Sequence, residues 1–85
     1  MIGGRVIEIR HEGNCVRIWV YNPKESEMCV HADPDSGPRL PRMQEEVWWQ
    51  SGRIYFGGPD PKRGEVSLRK IGYSHSPEAC REDTP

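Results

Sequence analysis

The side chains best equipped for chemistry in this sequence are flat rings set beside guanidinium groups. Arg17, Trp19 and Tyr21 recur at every second position of one segment, while Trp48, Arg53 and Tyr55 come from a second. Every-second spacing puts residues on one face of a β-strand. Rings and arginines on one face suit a nucleotide: stacking is worth ~1–3 kcal/mol per base, and arginine grips phosphate oxygens through a two-pronged fork. The same residue types dominate protein–protein hot spots and can also close a second small core. The pattern therefore predicts an exposed face for a nucleotide or short single-stranded nucleic acid. Partner contact and pure packing are the readings weighed against it.

A second candidate is Gly57-Gly58-Pro59-Asp60-Pro61-Lys62-Arg63-Gly64. Its backbone N–H groups could cradle a phosphate beside Lys62 and Arg63. It lacks P-loop spacing and no helix follows, so the plainer expectation is a turn with solvated charges. His11, Cys15, Cys29, His31, His75 and Cys80 are metal-ligand types, but no CxxC or HxxxH spacing joins them, and neither a metal nor another cofactor is expected. Glu45 and Glu46 are adjacent, which on a strand turns them to opposite faces and prevents acid–base work on one substrate. Cys29 and His31 share a face, yet no nucleophile motif surrounds them. The chain reads as non-enzymatic.

The elements that must carry these side chains are strands. Period-two alternation runs from residue 5 to residue 73, broken by Gly, Pro, Asn and Asp clusters. A first strand is expected over residues 4–11 with Ile7 and Ile9 inward, then a turn at Glu12-Gly13-Asn14. A second over 15–21 turns Val16, Ile18 and Val20 in, and a third over 26–33 turns Met28, Val30 and Ala32 in. Pro34 and Pro38 lack donors and end the sheet, leaving a long connection that carries Leu40 inward. Ser51-Gly52 reads as a two-residue hairpin loop. It sets Gln50 opposite Arg53, Trp49 opposite Ile54, Trp48 opposite Tyr55 and Val47 opposite Phe56. A one-residue slip would strand Ile54 and Phe56 in water at roughly 1.5–3 kcal/mol each. The last strand spans 65–73, with Val66 and Leu68 in phase and a bulge near Arg69-Lys70. Ser76-Pro77 looks like a helix start, but Pro85 ends the sequence within a turn or two.

With 85 residues, 34% hydrophobic, plus 9 Gly and 8 Pro, the chain has material for one domain. A chain this short buries only ~60–65% of its unfolded surface, so its single core must be thin and well packed. Five to six short antiparallel strands fit a small all-β barrel, OB-like or SH3-like, over residues 1–76, with a C-terminal turn or tail over 77–85. The stretch Leu40-Pro41-Arg42-Met43-Gln44-Glu45-Glu46-Val47-Trp48-Trp49 resembles the turn into a strand of such barrels. Together with its size, it makes the chain similar to short proteins of phages and prophages. That resemblance implies a phage accessory role, such as sequestering a signalling nucleotide.

Twelve Lys+Arg against thirteen Asp+Glu give a net charge of −1, spread evenly, so no basic block exists to condense on duplex DNA or an acidic membrane. A ligand with few phosphates fits this balance better than a long polymer. There is no signal peptide or apolar span, which makes the cytoplasm the expected compartment. Three cysteines, an odd number, leave at least one thiol free and argue against a disulfide scaffold. The alternative function is a protein-binding inhibitor or adaptor, of anti-defence type, docking on a larger assembly. Acidic Glu8, Glu12, Glu25 and Glu27 would then mimic nucleic acid. Free strand edges and the aromatic stripe also make a homodimer conceivable.

Overall fold

Alternation of apolar and polar residues builds six antiparallel strands in the computed structural model, which describes residues 2–24, 26–60 and 63–74. They are β1 (Ile2–Glu12), β2 (Cys15–Asn22), β3 (Ser26–Asp33), β4 (Glu46–Gln50), β5 (Arg53–Phe56) and β6 (Val66–Ser74). The expected C-terminal helical turn lies outside the described residues, as do Glu25, Lys62, His75 and Cys80. No helix among the described residues is long and apolar enough to cross a membrane.

The sheet closes in the order β1-β2-β3-β6-β5-β4 and back to β1. Two three-stranded meanders are thus joined by the 34–45 connection, which returns the chain to place β4 beside β1 in a Greek-key order. Closure gives every strand a neighbour on each side. Among the described residues no strand is left with a free edge for dimer formation, because the edge hydrogen-bonding groups are used within the ring.

Local chemistry fixes the turns. Gly13 (φ 59°) joins β1 to β2, and Ser51 and Gly52 (φ 54° and 80°) both take the left-handed conformation of a type I′ hairpin. The β4–β5 register is the one the sequence implies, Val47 with Phe56 through Gln50 with Arg53. Val47, Trp49, Ile54 and Phe56 are buried, joined by Val16, Ile18, Val20, Met28, Val30, Ala32, Val66 and Leu68. The bulge in β6 falls at Ile71, between the pairs His31–Gly72 and Ala32–Lys70.

One inward assignment is corrected. The inward residues of β1 are Val6 and Ile9, not Ile7 and Ile9. Register shifts between Val6 and Glu8, so Ile7 is the extra residue of a bulge and packs outside, against Trp19 and Cys29. A bulge inverts the phase of everything before it, and here the inversion is hidden because Val6, Ile7 and Ile9 are all apolar.

The 34–45 connection is tied down along its length. A short 3₁₀ turn, Pro34–Ser36, is capped by the Asp33 carboxylate, which accepts from the Asp35 N–H at 2.9 Å. Ser36 Oγ accepts from the Arg69 N–H at 2.7 Å, fastening the turn to β6. Leu40 packs on the core as expected, and Pro41 is buried. Gln44 N donates to the Val6 carbonyl and Val6 N to the Glu45 carbonyl, both at 2.9 Å, leading the chain into β4. Cys15 is a free thiol and Cys29 is disulfide-bonded, so one disulfide exists despite the odd cysteine count.

Candidate nucleotide-binding groove

Outward-facing residues of a closed barrel point in all directions, and the six predicted ligand residues do not form one face. Arg17 and Trp19 are corrected outright: they are 3% and 2% exposed. Trp19 lies opposite Cys29 in the β2–β3 ladder and packs with it and Ile7 as a second small cluster, under the Arg10 guanidinium 5.3 Å from the ring centroid. Arg17 Nε sits 2.8 Å from Glu12 Oε2. Alternation tells inward from outward, but not whether an outward position is covered. Arg53 is exposed at the hairpin end of β5, opposite Gln50 and Arg69 and on the same outward face as Tyr55 and Trp48, but it does not line the groove that Trp48 shares with Tyr21.

Tyr21 and Trp48 do come together. They line a groove of about 710 Å³ with Gly3, Gly4, Arg5 and Ile7. Trp48 pairs with Gly3 across the β1–β4 ladder, and its half-buried indole lies against that glycine so closely that a Cβ there would collide with Cδ1. A Cβ on Gly4 would stand 2.8 Å from the Tyr21 carbonyl oxygen. The paired glycines thus make a floor without side chains, between a tyrosine 50% exposed on one side and the indole on the other. The Asn22 side-chain amide donates to the Gly3 carbonyl and holds the end of β2 to the start of β1. Tyr55 is the β5 partner of Trp48 but does not line the groove.

A second depression, about 500 Å³, shares Arg5, Gln44, Glu46 and Trp48 with the groove and adds Arg39, Arg42 and Glu45. Gly57 and Gly58 reach it, so part of the glycine-rich stretch does approach a basic site. Arg63 does not supply the charge: it is exposed, with its N–H bonded to the Asp60 carbonyl, and does not line the depression.

The three arginines are held differently. Arg39 forks onto Glu45, Nη1 to Oε1 and Nη2 to Oε2 at 3.0 Å each, with Nη1 also 3.0 Å from the Leu40 carbonyl and the guanidinium 4.9 Å from the Phe56 ring centroid. Chiefly through that hydrogen bonding, and against the effect of burial, the Glu45 carboxyl is held below its ordinary range and Arg39 is raised. The Arg42 N–H donates to Glu45 Oε1 at 2.8 Å and lowers the carboxyl further. Arg5 donates to the Gln44 carbonyl at 2.7 Å and to Glu46 Oε1 at 2.8 Å, in a pair whose side chains are 52% and 55% exposed. The Arg42 guanidinium is exposed and in no ion pair with a described residue.

Arg5, Arg39 and Arg42 escaped the sequence reading because nothing local links residues 5, 39, 42 and 48. Gly3-Gly4 inside a strand was the one available signal, since glycine there marks a close approach. Among the described residues no three His, Cys, Asp or Glu side chains converge as a metal site would require. No protein-family model, curated protein or solved structure matches the chain.

Proposed function

We propose that this barrel is a non-enzymatic binding module that takes a nucleotide, or the end of a short single-stranded nucleic acid, in the Tyr21–Trp48 groove. The observation that carries the reading is the position of Trp48: its indole belongs both to the groove and to the arginine-lined depression beside it. A flat ring stacked on the indole would have its phosphate within the same composite site. The groove volume, about 710 Å³, falls within the ~300–1,000 Å³ range of small-molecule pockets. The chain's net charge of −1 favours a ligand of few phosphates. The acidic-mimic alternative finds less support, since Glu8 is paired with Arg10 and Glu12 with Arg17 rather than presented as bare carboxylates.

The test is titration of the protein with the four nucleoside monophosphates and with a short mixed-sequence oligonucleotide, followed by tryptophan fluorescence and by calorimetry. Binding is expected, and Trp48→Leu should abolish it while leaving the circular dichroism of the barrel unchanged. A folded protein that binds none of these probes refutes the reading.

A further inference from the structure

Within that reading, and resting on it, the geometry points to a single-phosphate subsite formed by Arg42 and Arg5, for which Glu46 is the built-in competitor. The three arginines of the depression are not equivalent. Arg39 is committed: both of its terminal nitrogens bond Glu45, and Glu45 in turn accepts the Arg42 backbone N–H that shapes the turn into β4. Releasing Arg39 would dismantle the connection. Arg42, by contrast, presents an exposed guanidinium in no ion pair with a described residue: its hydrogen bond to Glu45 is made by the backbone N–H, and its side-chain charge reaches that carboxylate only across a longer distance.

Arg5 stands between these extremes. Its Nη1 is fixed by the Gln44 carbonyl at 2.7 Å, which aims the guanidinium, while Nη2 is held by Glu46 in a pair more than half exposed. Exposed pairs are weak and exchange readily. A phosphate oxygen can take the place of Glu46 Oε1 on Nη2 without disturbing the Nη1 anchor. Glu46 follows Glu45 directly, and its partner Arg5 lines both the groove and the depression. A phosphate entering from a ring seated against Trp48 thus meets Arg5 first.

The charge count limits how much phosphate fits. Arg5, Arg39 and Arg42 face Glu45 and Glu46, three positive charges against two negative. One phosphate is accommodated. Further phosphates would lie beside two carboxylates, one of which is locked in place. The ligand class is therefore a monophosphate, a nucleoside monophosphate or a terminal phosphate, rather than a polyphosphate. Gly57 lines the same depression, where a Cβ would stand 3.0 Å from Arg39 Nη2.

The experiment compares dissociation constants of the four nucleoside monophosphates with those of the corresponding nucleosides, for the wild type, Arg42→Ala and Glu46→Gln, with circular dichroism confirming the fold of each. The monophosphates are expected to bind more tightly than the nucleosides. Arg42→Ala should weaken monophosphates about tenfold, towards the nucleoside value, consistent with loss of one charged hydrogen bond. Glu46→Gln should tighten monophosphates about threefold relative to the corresponding nucleosides. Equal binding of nucleosides and monophosphates, with Arg42→Ala changing neither, overturns the subsite and leaves the ring groove standing. Monophosphate binding that Glu46→Gln weakens or does not change overturns the competitor role. Failure of both ligand sets to bind overturns the subsite and the groove reading together.

Discussion

Trp19 and Trp48 both occupy outward positions of their strands, yet one is sealed and the other lines a groove. Trp19, on β2, has Glu8 and Cys29 as ladder neighbours and the bulged Ile7 packed against it, which leaves it 2% exposed. Trp48, on β4, has Gly3 on one side and Tyr55 on the other, and it stays half-buried with space beside its ring. The arginines nearby divide the same way. Arg17 is buried against Glu12, whereas Arg5 is paired to Glu46 in the open. The side chains opposite an aromatic, more than the aromatic itself, decide whether it becomes core or surface. The glycine lets the Trp48 indole lie on bare backbone with its other side open, whereas the bulged Ile7 and Cys29 cover Trp19.

The comparison breaks most sharply under truncation. Trp19→Ala should cost ~3–5 kcal/mol, the usual penalty for emptying a buried tryptophan site, and is expected to push so small a barrel close to unfolding. Trp48→Ala removes a half-buried ring and should cost only about 1 kcal/mol. Urea denaturation of the two variants side by side measures the difference. Equal losses would mean that Trp48 is a core residue and that the two environments are not distinct.

Gly3→Ala sharpens the contrast from the other side. A methyl there must displace the indole of Trp48, because the Val47 carbonyl oxygen, 3.2 Å from the same point, is backbone and cannot yield. Crowding of this kind costs typically ~1–3 kcal/mol. The Trp48 ring should swing outward, seen as a red shift in tryptophan emission and as changed chemical shifts at Tyr21 and Ile7. Trp19 resonances should stay in place. An unshifted Trp48 would show that β1 and β4 can separate to admit the methyl, and that the glycine floor does not set the groove.

How much of this was legible in the sequence follows from what alternation encodes. The β4–β5 hairpin could be read pair by pair, since Ser51-Gly52 fixes the loop and a slip would expose Ile54 and Phe56. The bulge in β6 was foreshadowed by Ile71 and Tyr73 falling out of phase with Val66 and Leu68. The bulge at Ile7 was not, because Val6, Ile7 and Ile9 are all apolar and either phase looks satisfactory. Of the site, Tyr21 and Trp48 were legible as outward rings. Their convergence was not: it depends on closure between β1 and β4, which brings residues 3 and 48 together. Arg5, Arg39 and Arg42 were invisible for the same reason. Each looks like any solvated cation until the 34–45 connection lays two of them beside the third.

The smallest effect separates the locked arginine pair from the exchangeable one. Glu45, bonded to both Arg39 nitrogens and to the Arg42 N–H, has its carboxyl below the ordinary range when folded, so the unfolded chain binds the proton more readily. Its contribution to stability is therefore complete above the ordinary carboxylate range and disappears as pH falls through the lowered folded value. Arg39, raised by the same bond, stays charged throughout and adds no dependence of its own in that window. The stability gap between wild type and Glu45→Gln should be widest near neutrality and narrow steadily in acid, as measured by urea midpoints at a series of pH values. Glu46→Gln, at the exposed pair, should shift those midpoints little at any pH. If the two substitutions gave parallel curves, the Arg39–Glu45 fork would be as exchangeable as Arg5–Glu46. All three arginines would then be available to an incoming anion, and the limit to one phosphate would fall with that distinction.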